Sequence, residues 1–99
     1  MQIKSGNSGV YALVENRPGH ALWGKLRYVG QSSSMRNRWD NHQQHALKGT
    51  HRNKHLQNII LAHISSGVPV VFRPLVICSE SSLDLYEIAC INTYSEHLV

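Results

Sequence analysis

The stretch of sequence that decides the fold is GVYALVE at Gly9–Glu15, and the stretch KLRYVG at residues 25–30 is its counterpart. In the first, valine and alanine alternate with tyrosine and leucine, which is the two-residue period of a strand. Residues 16–19 then contain a proline and a glycine, which favour a turn because proline fixes φ and glycine allows positive φ. The pattern predicts two adjacent strands at hairpin distance, with Tyr11 on one and Tyr28 on the other.

Helical periodicity begins after the second strand. The serines at 32–34 are N-cap candidates for a helix from about Met35 to Leu47, and Gly49 marks its end. A second helix, from about Asn53 to Ser65, has isoleucine and leucine on one side and stops near Gly67. The residues expected on the inward stripe of the first helix are Met35, Trp39, His42 and Ala46.

The remaining sequence predicts one strand and one helix. The β-branched run at residues 70–77 favours a strand, and Pro74 puts it on a sheet edge or at a bulge because proline donates no hydrogen bond. A capping-box pattern starts the last helix at Ser81, and the helix should run to about Tyr94. We therefore expect an α+β fold in which three helices flank a small antiparallel three-stranded sheet, in the order β-β-α-α-β-α.

The size and composition of the chain indicate a single small domain. Its 99 residues leave room for one core, so we expect one domain over residues 1–99. No apolar run approaches the roughly 20 residues that span a bilayer, and the polar start lacks a secretory signal pattern. Cys78 and Cys90 lie in an apolar and a helical segment, which favours reduced, buried thiols. These features predict a cytoplasmic protein without a membrane segment.

Positive charge is concentrated in the first half of the chain. The formal net charge is +4, yet residues 17–54 carry eight lysines and arginines against one acid, Asp40. No lysine or arginine follows Arg73, whereas four acids do, namely Glu80, Asp84, Glu87 and Glu96. A basic front half beside an acidic end suggests a polyanion-binding surface next to a carboxylate that holds a cation. The alternative is an ordinary solvated surface with uneven charge.

Two short motifs resemble the signature of a nuclease family. Gly9-Val10-Tyr11 lies on the first strand, and Tyr28-Val29-Gly30, followed by Gln31-Ser32, lies on the second. Further residues follow in order and at similar intervals, so the chain resembles the GIY-YIG endonuclease family over nearly its whole length. The resemblance implies an enzyme that cuts DNA phosphodiester bonds with a catalytic set of Tyr11, Tyr28, Arg38, His42, His51 and Glu87.

The acid and the arginine suit the chemistry of phosphodiester hydrolysis. Mg²⁺ keeps most of its waters and binds through one or two carboxylates plus substrate phosphate, so Glu87 alone can hold it, with Mn²⁺ as a substitute. Arg38 and His42 lie about 40° apart around their helix and can address one phosphate, whereas Asp40 lies about 200° from Arg38. Further nucleic-acid contacts are expected from Gln31, Ser32, Arg36, Lys48, Arg52 and Lys54.

The two tyrosines are the candidates for proton transfer. A phenol accepts a proton only if nearby cations lower its pKa from about 10, and Arg38 and a metal ion are suited to do so. The resemblance implies that Tyr11 and Tyr28 border the attacking water and the phosphate, one as general base and the other as hydrogen-bond donor. We favour Tyr11 as the base with His42 relaying the proton, and the resemblance puts His51 at the leaving side.

Two other functions stay open on sequence grounds. A catalytically inactive nucleic-acid-binding module would use the same basic surface. A zinc-stabilised interaction domain would use histidine pairs such as His42 with His45 and His51 with His55. No cysteine pair and no His-Glu-x-x-His motif accompanies those pairs, so the zinc signal is weak.

One part of the family pattern is missing. That pattern continues to an asparagine after the glutamate helix, whereas Asn92 lies inside the helix here and the chain stops at Val99. Either the sequence belongs to a longer protein, or the site works without this group. The sequence does not separate DNA from RNA as the substrate or name a target structure. A homodimer on the substrate is one way in which a single site would cut both strands.

Overall fold

The computed structural model of the chain describes residues 7–15 and 25–94. The predicted order β-β-α-α-β-α is confirmed, and the three strands pair antiparallel as expected. The turn predicted at residues 16–19, and with it Arg17 and Glu96, lie outside the described residues. The elements are β1 (Gly9–Glu15), β2 (Lys25–Ser32), α1 (Met35–Lys48), α2 (Lys54–Ser66), β3 (Val70–Ile77) and α3 (Leu83–Tyr94), with a 3₁₀ turn at Glu80–Ser82 before α3.

β1 is the central strand of the sheet. The strand order is β2-β1-β3, so β1 pairs on both sides, and all seven of its residues are buried. Tyr11 lies opposite Gly30 of β2, and Leu13 lies opposite Tyr28. Because successive side chains of a strand point to opposite faces, Tyr11, Leu13 and Tyr28 share one face of the sheet. Both signature tyrosines therefore lie on the same side of the domain.

Helices cover both faces of this sheet. On the face that carries Tyr11, the core is completed by residues of α1 and α2, namely Met35, Ala46, Leu56 and Ile60. On the other face, Val10 and Val14 of β1 share a core with Cys90 of α3. The domain thus has three layers, with α1 and α2 on one side of the sheet and α3 on the other.

Pro74 occupies a position of the kind predicted for it. β3 is an edge strand, and the register between β1 and β3 shifts between Val10 and Tyr11, which pair with Val76 and Pro74. The shift skips Leu75 and forms a β-bulge. Sheet edges and bulges are the places where a strand tolerates a residue without an amide hydrogen. Both predicted alternatives, an edge and a bulge, are therefore confirmed.

Helices α1 and α2 end at the predicted glycines, and an asparagine caps α2, whereas the predicted serine cap of α1 makes no capping bond. Gly49 and Gly67 end α1 and α2 in the left-handed region, each with φ of 72°. Asn53 caps α2, and its side chain accepts a hydrogen bond from the backbone N–H of Leu56. Ser34 occupies the N-cap position of α1, but its hydroxyl makes no capping hydrogen bond.

The start of the last helix differs from the prediction. A capping box at Ser81 was expected to open it, whereas Ser81 belongs to the 3₁₀ turn and α3 begins at Leu83. The hydroxyl of Ser79 lies 3.1 Å from that of Ser81 and 3.2 Å from that of Ser82. The serines therefore bond to one another within a tighter turn, which delays the α-helix.

The two cysteines are free thiols, as expected. Cys90 of α3 is buried in the core, whereas Cys78 is half-buried. The prediction of a buried thiol is therefore confirmed for Cys90 only. Among the described residues, no helix has the length and apolar character that crossing a membrane requires.

Candidate active site

The signature glycines make room for the side chains around Tyr11. Tyr11 has no solvent-exposed surface, and its hydroxyl lies beside Gly30. A Cβ atom at Gly30 would lie 2.7 Å from the Tyr11 hydroxyl oxygen and 2.6 Å from Cε2 of Tyr28. A Cβ atom at Gly9 would collide with the carbonyl oxygen of Val76 on β3. Both motifs therefore need glycine for close packing at these positions.

A chain of hydrogen bonds runs from Tyr11 to the loop between α1 and α2. The Tyr11 hydroxyl lies 2.7 Å from Nε2 of His42, and Nδ1 of His42 lies 2.7 Å from Nε2 of His51. Nδ1 of His51 accepts a hydrogen bond of 3.1 Å from the backbone N–H of Asn53. Three side chains of the predicted catalytic set are thus in direct contact with one another.

Arg38 joins this chain at the Tyr11 hydroxyl. Nε of Arg38 donates to the hydroxyl oxygen over 3.4 Å, and Arg38 and His42 lie one turn apart on the same face of α1. Asp40 is exposed and lies on the other side of the helix. The guanidinium therefore faces the site without an acid of its own helix beside it.

Burial keeps Tyr11 and the two histidines neutral. Loss of solvent raises the pKa of the Tyr11 phenol above its ordinary value, and the hydrogen bond from Arg38 opposes this only in part. Burial lowers the pKa of His42 to about 3, and the positive charge of Arg38 adds to the effect. The pKa of His51 is lowered by the same two causes. Arg38 lowers the pKa of Tyr11 as expected, but desolvation outweighs this cation, so that the net shift is upward where Arg38 acts alone.

A cavity of about 400 Å³ opens beside this chain of hydrogen bonds. Nδ1 of His45 lies 3.0 Å from the hydroxyl of Thr50, so α1 and the loop before α2 form its walls together. None of the described residues that line it is acidic, which makes the cavity suitable for an anion such as a phosphate group. Its lining residues are Arg38, His42, His45, Thr50, His51 and Arg52.

Glu87 approaches the site from the opposite layer of the domain. It lines an open depression between α3 and β2 together with Gln31, Asp84, Ile88 and Ile91. The side-chain amide of Gln31 donates a hydrogen bond of 2.7 Å to Asp84, which ties the end of β2 to α3. The negative charge of Glu87 acts on Tyr11 and contributes to raising the pKa of its phenol. Glu87 therefore lies in the depression between α3 and β2, outside the cavity that the histidines line.

The donor atoms around Glu87 suit a hard divalent cation that keeps most of its waters. The oxygens of Glu87 and those of Asp84, one helical turn away, line the same depression. Within residues 7–15 and 25–94, no group of three or more histidine, cysteine or acidic side chains is placed to hold a metal. A cation at Glu87 would therefore depend on one or two carboxylates, water and substrate, which fits Mg²⁺ better than a zinc cage.

Three of the six residues expected to contact nucleic acid have polar groups facing solvent or the cavity. Arg52 lines the cavity, and Lys48 is exposed at the end of α1. Arg36 is also exposed, but it lies about 200° from Arg38 around α1 and so points away from the cavity. Arg52 and Lys48 are therefore better situated for such a contact than Arg36.

The other three bind within the protein. Gln31 is held by α3, as described above. The hydroxyl of Ser32 accepts a hydrogen bond of 3.0 Å from the backbone N–H of Ser34. Nζ of Lys54 donates a hydrogen bond of 3.0 Å to the carbonyl oxygen of Gly49. These groups hold the end of β2 and the loop between α1 and α2 in place.

Sequence reasoning missed three contributors to the site. His45 was considered only as part of a weak zinc pair, and Thr50 was not singled out, yet both line the cavity. The backbone amide of Asn53 orients His51, although only side chains had been considered as site groups. The N-cap pattern at Asn53, just before an apolar run, is the signal that would have located this amide.

Comparison with known proteins identifies the family. The family model of the GIY-YIG catalytic domain matches residues 7–97, which is nearly the whole chain. No curated protein and no solved structure matched the chain significantly. Domains of this type are nucleases and generally depend on a divalent metal ion. On the strength of this match, the chain belongs to the GIY-YIG family of nuclease domains.

Proposed function

We propose that this domain is a Mg²⁺-dependent endonuclease that hydrolyses phosphodiester bonds of DNA. The observation that carries the proposal is the environment of Tyr11. Its hydroxyl contacts His42 and Arg38, and both of these residues line the basic cavity. Glu87 lies in the neighbouring depression between α3 and β2. Phosphodiester hydrolysis uses a cation, hydrogen-bonding groups and a carboxylate, and these side chains supply all three.

The basic residues beside the cavity support a polyanionic substrate. Arg38 and Arg52 line the cavity. Lys48, shortly before Arg52 in the sequence, is exposed at the end of α1. A guanidinium donates in pairs to phosphate oxygens and stays protonated at any working pH. Such contacts position the sugar-phosphate backbone and carry no base specificity, so the proposed substrate is DNA without an assigned target sequence.

The proposed reaction divides the work among the residues of this chain. Glu87 holds the metal ion, and Arg38 donates hydrogen bonds to the phosphoryl oxygens on which negative charge builds. When bound, a divalent cation neutralises phosphate charge and makes a coordinated water more acidic. The water oxygen bonds to phosphorus as the bond to the departing oxygen breaks. One of the two motif tyrosines takes the proton that the water loses, and the departing oxygen takes one up from solvent on the side of His51 and Arg52.

A plasmid-nicking assay tests this proposal. Supercoiled DNA should be nicked by the wild-type protein with Mg²⁺ or Mn²⁺, and chelation of the metal should stop the reaction. Glu87→Gln should abolish nicking while DNA binding, followed by fluorescence anisotropy, largely survives. Glu80→Gln is the matched control, because Glu80 is exposed in the 3₁₀ turn before the same helix and should not affect the rate.

The same assay decides against the proposal if cleavage is absent. Salt-sensitive DNA binding without nicking in either metal would identify a catalytically inactive binding module instead. Nicking that survives Glu87→Gln unchanged would remove Glu87 from the metal site. Cleavage of RNA but not DNA would support the proposed chemistry but contradict DNA as the substrate.

A further inference from the structure

The hydrogen-bond chain from Asn53 to Tyr11 has a direction. We propose that the backbone amide of Asn53 fixes the hydrogen positions of His51 and His42, so that His42 donates to the Tyr11 hydroxyl and cannot take a proton from it. The consequence for proton transfer rests on the proposed nuclease function. The hydrogen positions themselves do not depend on it. This assignment replaces the expectation from sequence that His42 relays the proton of Tyr11.

The first step concerns His51. A backbone N–H can only donate, and that of Asn53 is directed at Nδ1 of His51 over 3.1 Å. Nδ1 must therefore offer a lone pair, and in a neutral imidazole the hydrogen is then on Nε2. The opposite tautomer would set two N–H groups against each other at this contact.

The hydrogen on Nε2 of His51 decides the tautomer of His42. The two rings are nearly coplanar, with an interplanar angle of 17° and centroids 5.0 Å apart, so they meet edge to edge through their nitrogens. At an N···N distance of 2.7 Å, only one hydrogen fits between Nε2 of His51 and Nδ1 of His42. His51 supplies it, so Nδ1 of His42 accepts and the hydrogen of His42 is on Nε2.

The last step concerns the Tyr11 hydroxyl. It accepts from Nε2–H of His42 over 2.7 Å and from Nε–H of Arg38 over 3.4 Å. Because Nε2 of His42 carries a hydrogen and Nδ1 accepts from His51, neither ring nitrogen of His42 has a free lone pair. His42 therefore donates to Tyr11 and cannot take a proton from it.

The neutral state of both histidines is a condition of this chain. Burial and the nearby guanidinium of Arg38 lower the pKa of His42 and of His51. Both rings are therefore neutral near pH 7, and each carries one ring hydrogen. An imidazolium at either position would carry hydrogens on both nitrogens. Its Nδ1–H would then face a donor, the backbone N–H of Asn53 for His51 or Nε2–H of His51 for His42.

Nitrogen-15 NMR of the histidine rings tests the hydrogen positions directly. Long-range ¹H–¹⁵N spectra of the full chain near pH 7, recorded without metal or DNA, distinguish the two tautomers. Both His42 and His51 should carry their hydrogen on Nε2. A hydrogen on Nδ1 of either ring in the wild-type protein overturns the proposal, whatever the nicking assay reports.

Substitution of Asn53 tests the cause. Asn53→Pro removes the backbone N–H together with the cap on Leu56, whereas Asn53→Ala removes only the cap. The alanine variant should keep both tautomers, and the proline variant should show a mixture at His51 and His42. Identical tautomers in both variants overturn the role of the amide. If the proline variant does not fold, the wild-type spectrum still decides the proposal.

Discussion

The hydroxyl oxygen of Tyr11 lies 2.7 Å from Nε2 of His42, and neither side chain has more than 1% of its surface exposed. The pair connects the central strand of the sheet to α1. Because it is sealed from water, the pKa of the phenol is raised and that of the imidazole is lowered. The buried part of the site is therefore built from neutral hydrogen-bonding groups beside a permanent cation, Arg38. Four predictions follow from this arrangement and its surroundings.

Stability should fall between pH 7 and pH 5. The pKa of His42 is about 3 in the folded protein, below the value of about 6.5 expected when unfolded, so the unfolded chain takes up the proton first. Its contribution to stability is complete above pH 6.5 and is lost as the pH falls toward 3. Urea denaturation should show a loss of about 2 kcal/mol from His42 between pH 7 and 5. His42→Gln should weaken this dependence, and equal stability at both pH values would contradict the burial argument.

Arg38→Lys should slow nicking far more than it weakens DNA binding. Lysine keeps the charge but loses the planar fork that holds phosphoryl oxygens and the Nε–H that contacts Tyr11. We expect kcat to fall about 10² to 10³-fold, as when a donor to developing charge is removed. Arg36→Lys, on the opposite side of α1, is the matched control. A similar loss in both variants would indicate a general effect of the helix and not a role in the site.

Gly30→Ala should destabilise the domain and impair the site. The added methyl group would lie 2.6 Å from Cε2 of Tyr28 and 2.7 Å from the Tyr11 hydroxyl, so both rings must move. Overpacking of this kind costs about 1 to 3 kcal/mol, measurable by urea denaturation. Ser33→Ala, at an exposed position just after β2, should be neutral. Wild-type stability and nicking in Gly30→Ala would show that the rings have more space than the structure gives them.

Arg52→Gln should reduce the salt dependence of DNA binding. Each phosphate that a basic residue neutralises adds about 0.9 to the slope of log K against log salt concentration. Arg52 lines the cavity, so its loss should lower the slope by about 1, whereas Arg36→Gln should leave it nearly unchanged. Anisotropy titrations at several salt concentrations measure both slopes. Equal changes in the two variants would place the DNA on more of the surface than the cavity side.

Most of the fold was accessible from local patterns in the sequence. The extent of β1, the αL glycines at 49 and 67, and the edge or bulge at Pro74 depend on backbone preferences of neighbouring residues, and all were predicted correctly. The start of α3 was not, because hydrogen bonds among Ser79, Ser81 and Ser82 compete with the expected cap. Local rules fail where two local interactions of similar strength compete.

Part of the site was also predictable from the sequence, because spacing along a helix determines which side chains share a face. Arg38 and His42 were placed together in this way, and Asp40 was placed apart from them. The bond between Gln31 and Asp84 was not foreseen, because the two residues are far apart in the chain. No periodicity or propensity reports a contact between such distant residues.

The sequence by itself determined the elements, their order and the residue types available for phosphodiester chemistry. Only the tertiary structure decided the electrostatics of the site. The net direction of the pKa shift of Tyr11 depends on how much burial outweighs Arg38, and burial is the sum of many packing contacts between distant segments. The same holds for the amide of Asn53, whose position against His51 depends on the path of the backbone and on no side chain of its own.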